Sequence, residues 1–207
     1  MRLFRNLIHV EPNLPPLYKE GHEEWKGYDV TYQDVEQQVA GSYSRTDHPH
    51  FRPVHRALIP IIEDYLGGIK VIPTFFFDRV YYAGNELVPH TDQIACEISI
   101  TMQLQSTLSE PWTLFVEGEP FNMNDGDAVL YNGVKCKHWR EPMPGGPKDY
   151  HHKIFLHYVI EHGEIYNQML EDRQLRYVAH ALETQQIVCY TNGVLNKNHA
   201  TIHSHLH

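Results

Sequence analysis

Hydrophobic and polar positions change period along the chain and mark out its elements. From Val54 to Leu66, the residues Val54, Ala57, Leu58, Ile61, Ile62, Tyr65 and Leu66 recur at helical spacing, and Gly67-Gly68 follows as a stop. This pattern predicts an amphipathic helix packed on a sheet, with His55 facing solvent. The next hundred residues alternate instead. "VIPTFFFDRVYY", "ACEISITMQL", "WTLFVEG", "DAVLYNG" and "KIFLHYVI" are short runs rich in β-branched and aromatic residues. Turn signals separate them at Ala83-Gly84-Asn85, Glu117-Gly118-Glu119-Pro120, Asn124-Asp125-Gly126 and Pro144-Gly145-Gly146-Pro147. In "CEISITMQL", Ile98, Ile100, Met102 and Leu104 share one face, while Ser99, Thr101 and Gln103 share the other. The apolar face suits a packed layer, and the polar face suits the lining of a cavity.

The flanks read differently. Residues 1 to 23 are Pro-rich and irregular, "VTYQDVEQQV" carries a weak helical signal, and "DHPHFRP" reads as a loop. After residue 161, "EIYNQMLEDRQLRYVAHAL" has a helical stripe of Tyr166, Met169, Leu170, Tyr177, Val178, Ala181 and Leu182. From about residue 186 the chain reads as a loosely held tail, and there is no internal repeat. The fold expected is mainly β with flanking helices, built on a sandwich or jelly-roll core. The 207 residues suit a single domain 1–207. Within it, 70–160 form the β core, 1–69 an N-terminal helical or irregular support, and 161–207 a C-terminal helix and tail.

Composition narrows the class. Hydrophobic residues make up 42% of the chain, enough for a core, yet no run of about 18 apolar residues predicts a membrane span. The N-terminal apolar stretch is too short and broken for a signal peptide, so a cytoplasmic location is the default. Cys96, Cys136 and Cys189 are odd in number and scattered, which argues against a disulfide framework and a CxxC zinc ribbon. The net charge of −9, without a Lys/Arg block, disfavours nucleic acid as a partner. Sixteen histidines are many, but His203, His205 and His207 crowd the final "HSHLH", where metal binding would be adventitious.

The candidate chemistry starts at "LVPHTD". On a strand, His90 and Asp92 point to one side and Thr91 to the other. Such a pair is either a metal site or an ordinary hydrogen-bonded couple. Forty-six residues past Asp92 stands His138, directly after the strand "DAVLYNG". In a jelly roll, strands distant in sequence become neighbours. Two imidazoles and one carboxylate then make a facial triad that leaves three positions of an octahedron open. Lys153, 15 residues after His138 at the opening of a strong β run, supplies a cation.

In combination, "RVYYAGNELVPHTD", "CEISITMQL", "NDGDAVLYNG", "HWREPMPGG" and "KIFLHYV" resemble the 2-oxoglutarate and iron(II)-dependent oxygenase superfamily, in its prolyl-4-hydroxylase-like branch. The resemblance runs from about Phe75 to Ile160 and leaves residues 1 to 50 and 162 to 207 without a family reading. It implies a double-stranded β-helix (a cupin-like jelly roll) with iron(II) held by His90, Asp92 and His138. It also implies 2-oxoglutarate as cosubstrate, dioxygen as oxidant and ascorbate as an optional accessory. Lys153 matches the residue that pairs the far carboxylate of 2-oxoglutarate. The interval from His138 is longer than the family's usual spacing, which makes Arg140 and Lys148 rivals. Tyr81 matches a tyrosine that hydrogen-bonds the cosubstrate, and Thr101 is a further candidate for that pocket. The implied reaction is hydroxylation of an unactivated C–H bond, with succinate and carbon dioxide as co-products.

The implied substrate is a small molecule or a peptide, with a prolyl residue as the family-level first expectation, and the chain is expected to be a monomer or a homodimer. Trp112 and Trp139 are expected in the core or at the rim, and Cys136 as a small buried residue. His151 and His157 should share the face of Lys153. Two other functions compete: a cupin-like metalloenzyme that ignores 2-oxoglutarate, and a non-catalytic β-sandwich binding module. The latter has no use for three convergent ligands.

Overall fold

The computed structural model describes residues 1–7, 38–171 and, for backbone alone, 31–33, 190–191 and 194–195. Its strands in chain order are β1 (Arg2–Phe4), β2 (Thr31–Gln33), β3 (Tyr43–Thr46), β4 (Val71–Tyr82), β5 (Leu87–His90), β6 (Ile98–Ser106), β7 (Leu114–Val116), β8 (Glu119–Phe121), β9 (Ala128–Tyr131), β10 (His138–Arg140), β11 (Tyr150–Ile160), β12 (Tyr190–Thr191) and β13 (Val194–Leu195). A seven-stranded sheet runs β1-β9-β6-β11-β4-β3-β2, and a four-stranded sheet runs β5-β10-β7-β8. All pairings are antiparallel, and sequence-distant strands lie side by side. Two such sheets with crossovers between them make a jelly roll, the double-stranded β-helix expected from the sequence.

The alternation in β6 sorts its side chains as expected. Ile98, Ile100, Met102 and Leu104 enter the main core with Ala128, Leu130, Ile154, Leu156 and Tyr158. Phe51, Leu58 and Ile62 cover that face of the large sheet. Ser99, Thr101 and Gln103 are buried too, on the opposite face, toward the small sheet. Leu114, Val116 and Met123 meet Val129 and Tyr131 there, so the two sheets close on each other. The functional candidates lie between them.

Several local expectations need correction. The helix foreseen over Val54–Leu66 is two helices, α1 (Arg52–Ala57) and α2 (Ile59–Tyr65), parted at Leu58. Pro60 has no N–H to donate back to Arg56, so the ladder breaks and restarts. Gly67 and Gly68 then end the run with φ of 72° and 93°, a conformation glycine adopts without strain. His55 does not face solvent: it is buried, its Nε2 is 2.9 Å from the His157 carbonyl, and its ring lies 4.7 Å from that of Tyr158. The segment 1–69 is less irregular than foreseen, since β1, β2 and β3 all join the large sheet. β2 occupies part of the weak helical signal, and β3 ends at Thr46, just before the stretch read as a loop. These strands are short and polar and lack an alternating apolar signature; the sheet edge they complete determines them. β8 forms within the expected turn at Glu117 to Pro120.

Beyond the core, α3 (Glu164–Glu171) buries Met169 against Ala95 and Val159. Tyr177, Val178, Ala181 and Leu182 of the expected stripe, and the terminal histidines, lie outside the described residues. Among the described residues no helix is long and apolar enough to cross a membrane. Trp112 is buried in a cluster with Tyr81, Leu87 and Met143, while half-buried Trp139 stacks on Phe115. Cys96 and Cys136 are free thiols, and Cys136 is half-buried.

Candidate metal centre

Antiparallel pairing of β5 with β10 sets His90 directly opposite His138. β5 is the edge of the small sheet, where Pro89 does no harm because an edge strand can spare an N–H. The two imidazole centroids are 4.2 Å apart. Asp92 follows β5, and its Oδ1 lies 3.5 Å from Nε2 of each histidine. The donor atoms of all three side chains lie within 4.8 Å of one another.

The hydrogen bonds around this trio set its chemistry. His90 Nδ1 is 2.8 Å from the Val88 carbonyl, and His138 Nδ1 is 3.0 Å from the Cys136 carbonyl. In each case the partner is the residue two positions earlier in the chain. A carbonyl only accepts, so the proton sits on Nδ1 and the Nε2 lone pair faces the centre. The Gln38 amide nitrogen lies 3.0 Å from His90 Nε2, as a donor to that lone pair should. Asp92 uses its other oxygen outward: Ser99 Oγ donates to Oδ2 at 3.2 Å. Ser99 Oγ is also 3.0 Å from His157 Nδ1, so a chain of side chains braces the carboxylate.

Charge follows geometry. Burial alone would raise the Asp92 pKa, but the two histidines outweigh it and hold the carboxyl well below the usual range. Burial opposes a charge on His90, yet the neighbouring Asp92 wins and raises its pKa. An ionised carboxylate beside two lone pairs is the donor set of a divalent cation with open positions, and these residues fit iron(II). Asp92, Cys96 and His157 form a second possible donor group, but it shares Asp92 with the first.

Gly133 permits this approach. Its carbonyl accepts from Asp92 N at 2.8 Å. A Cβ there would come within 2.5 Å of Asp92 Oδ2 and Ser99 Oγ, and closer still to the Cys96 carbonyl. Gly133→Ala is therefore expected to push the carboxylate aside and weaken metal affinity by about 10–100-fold, the range for lost outer support. Titration of the variant with Mn(II) followed by paramagnetic resonance checks this, and an affinity within twofold of wild type would contradict it.

A cavity of about 230 Å³ opens beside the trio, lined by His90, Asp92, His138, Tyr81, Arg79 and Phe77 among others. Lys153, Thr101 and Arg140 do not line it. They lie on the inner faces of their strands, buried. Nζ of Lys153 meets only the Met123 sulfur, at 3.4 Å, among the described residues. Burial first, and then the charge of Arg140, depress its pKa well below the usual lysine value. Arg140 stacks 4.7 Å from the Trp112 ring centroid, donates Nη1 to the Trp112 carbonyl, and leaves Nη2 without a partner among the described residues. Burial brings its pKa down to about 10. Thr101 Oγ1 likewise lacks a partner among the described residues. Tyr81 is buried, with its hydroxyl 3.4 Å from Arg79 Nη1. Lys148, the remaining rival, is exposed in the loop. The long interval between His138 and Lys153 is the rest of β10, the 141–149 loop and the first three residues of β11. His151 and His157 share the Lys153 face as expected, and both are buried.

No family model matches the chain, and no curated protein matches it. Solved structures do. A viral collagen prolyl hydroxylase from Paramecium Bursaria Chlorella virus-1, in its 2OG complex, is 11% identical with a TM-score of 0.46, covering 60% of this chain and 81% of that one. An oxidoreductase of the 2OG-Fe(II) oxygenase family from Burkholderia pseudomallei is 12% identical with a TM-score of 0.49, covering 66% and 76%. A prolyl-4-hydroxylase from Pseudomonas putida is 13% identical with a TM-score of 0.46, covering 61% and 75%. These structural neighbours are 2OG-Fe(II) oxygenases. At such identities the likeness is one of fold.

Sequence reasoning missed Arg79, Gln38, Ser99 and Gly133 as parts of the centre. Arg79 was the most findable, since it stands two residues before Tyr81 and so shares its face.

Proposed function

We propose that this protein is an Fe(II)- and 2-oxoglutarate-dependent dioxygenase that hydroxylates an unactivated C–H bond. The observation that supports the reading is one arrangement: three donors converge with their lone pairs inward, and among the described residues the buried Lys153 and Arg140 form no salt bridge. Bound iron(II) would supply activation of dioxygen, coupled to decarboxylation of 2-oxoglutarate to succinate and carbon dioxide. His90, Asp92 and His138 would hold the ion and leave room for other ligands.

Lys153 is the better receiver for the far carboxylate. Burial against a thioether disfavours the charge on Lys153, and an incoming anion would favour it. Arg140 already spends one donor on Trp112 and its face on the indole. Thr101 Oγ1 offers a further donor, and Tyr81 lines the cavity beside the three metal-ligand candidates. A prolyl side chain of a peptide remains the family-level expectation for the substrate.

Anaerobic titration of Fe(II)-loaded protein with 2-oxoglutarate should give a weak visible charge-transfer band. In Lys153→Met, which keeps the shape and removes the charge, the apparent Kd for 2-oxoglutarate should rise by about 30-fold or more, as when one partner of a buried ion pair is truncated. An unchanged Kd moves the anchor to Arg140. A wild type that binds metal but shows neither band nor succinate formation returns the molecule to the cupin-like reading.

A further inference from the structure

A second group of donors shares a wall with the metal centre and differs from it in softness. Asp92, Cys96 and His157 each present a ligand atom, and these three atoms lie within 4.8 Å of one another. They come from three places in the fold. Asp92 follows β5, Cys96 closes the short 3-10 turn Ile94–Cys96, and His157 stands in β11 directly opposite Ser99 of β6. Cys96 is a free thiol. All three residues line the cavity, which gives the group a route to solvent.

The hydrogen bonding here is short of protons. Ser99 Oγ has one proton to give, and it lies 3.2 Å from Asp92 Oδ2, 3.1 Å from the Cys96 carbonyl and 3.0 Å from His157 Nδ1. With that proton on the carboxylate, His157 donates from Nδ1 to the serine, and its lone pair falls on Nε2. The histidine is 3% exposed, and Nε2 is buried without a partner among the described residues. A buried lone pair left unmet is a cost that a donor or a cation removes. Asp92 also has two oxygens to divide: Oδ1 faces His90 and His138, and Oδ2 turns to Ser99.

We propose that Asp92, Cys96 and His157 form a second cation site, one that takes thiophilic divalent ions of the zinc class. Two imidazoles and a carboxylate suit iron(II), whereas a sulfur donor beside an imidazole and a carboxylate favours a softer ion. Three ligands leave the fourth position of a tetrahedron free. On binding, the thiol proton leaves to solvent and a sulfur–metal bond takes its place. The site does not depend on the oxygenase reading, since it needs neither iron(II) nor 2-oxoglutarate. Because Asp92 belongs to both groups, an ion held here would draw on the carboxylate of the first centre.

The probe is Co(II), a spectroscopic stand-in for zinc, titrated into metal-free protein without dioxygen. In wild type a sulfur-to-cobalt charge-transfer band should grow in the near ultraviolet and saturate; nitrogen and oxygen ligands alone do not give it. Zn(II) added afterwards should bleach it. The band should persist in His90→Ala, which dismantles the first centre, and in the double variant Cys136→Ser/Cys189→Ser, which leaves Cys96 as the sole cysteine. It should vanish in Cys96→Ser, and if that variant does not fold, the double variant still assigns the band. Absence of the band in wild type overturns the proposal, and that measurement needs no variant. A band that rises without saturating, or one lost in the double variant, overturns it by placing the sulfur elsewhere. Loss of the band in His90→Ala refutes a separate site by making Cys96 a ligand of the first centre.

Discussion

Asp92→Asn will abolish metal-dependent turnover and leave the fold standing. Asp92 Oδ1 faces both ligand nitrogens at 3.5 Å and carries the only negative charge of the trio. Asparagine has nearly the same shape, so the backbone bond from residue 92 to the Gly133 carbonyl and the contact with Ser99 can remain. The charge does not remain, and a neutral amide oxygen is a far poorer ligand for a hard divalent cation. The expected loss in metal affinity exceeds the ~10–100-fold typical of removing an outer partner. Succinate formation should fall to background, while thermal unfolding of the metal-free variant stays close to that of metal-free wild type. The removal of a carboxylate wedged between two histidines also lets the His90 pKa fall, because Asp92, together with the Val88 carbonyl, raises it against burial. Full activity in the variant would remove Asp92 from the metal centre and leave the serine–histidine brace without a purpose.

The second large effect is acid sensitivity in the wrong range for carboxylates. Burial holds His55 and His157 at a pKa of about 4 and His48 at about 3. Unfolded, each would return to about 6.5. Between those values the unfolded chain binds more protons than the folded one, so stability is fully present above about pH 6.5 and is lost as pH falls toward 4. A depression of about 2 units is worth about 3 kcal/mol at the bottom of that window. His90 works in the opposite direction, since its raised pKa favours the folded form at low pH, but it is one half-exposed group against several buried ones. Urea midpoints of metal-free protein should therefore drop steeply between pH 6.5 and 4.5. His55→Gln should flatten that slope at a cost in stability at neutral pH. A midpoint constant from pH 7 to 5 would contradict this account.

Much of the centre was legible in the sequence, for a local reason. His90 and Asp92 stand two apart in extended chain, so they share a face without help from the rest of the fold. Each ligand histidine then finds its Nδ1 partner two residues back in the chain. The meeting of His138 with that pair needed only sheet topology, which the alternation in "CEISITMQL" and the turn signals made readable. What escaped depended on contacts no spacing encodes. His55 sits in an amphipathic pattern that leaves it on the polar side, yet the break at Pro60 and the closeness of β11 bury it. Gly133 carried no signal of its own at the end of "DAVLYNG", and its role comes from Asp92, Cys96 and Ser99 crowding the place a Cβ would take. Arg79 stands among aromatics in "TFFFDRVYY" and was assigned no role from the sequence.

The position of β5 at the rim of its sheet carries a last consequence. Four residues long and hydrogen-bonded to a single neighbour, it holds His90 by few bonds. An ion gripped by His90 and His138 would tie together two segments 48 residues apart, adding a non-covalent staple where the ladder is weakest. The ion and the strand would then depend on each other: fraying of this border strand opens a route by which the ion leaves, and reloading re-registers the strand. Exchange of the cation would be governed by local breathing of one short peptide segment, with no need to disturb the interior.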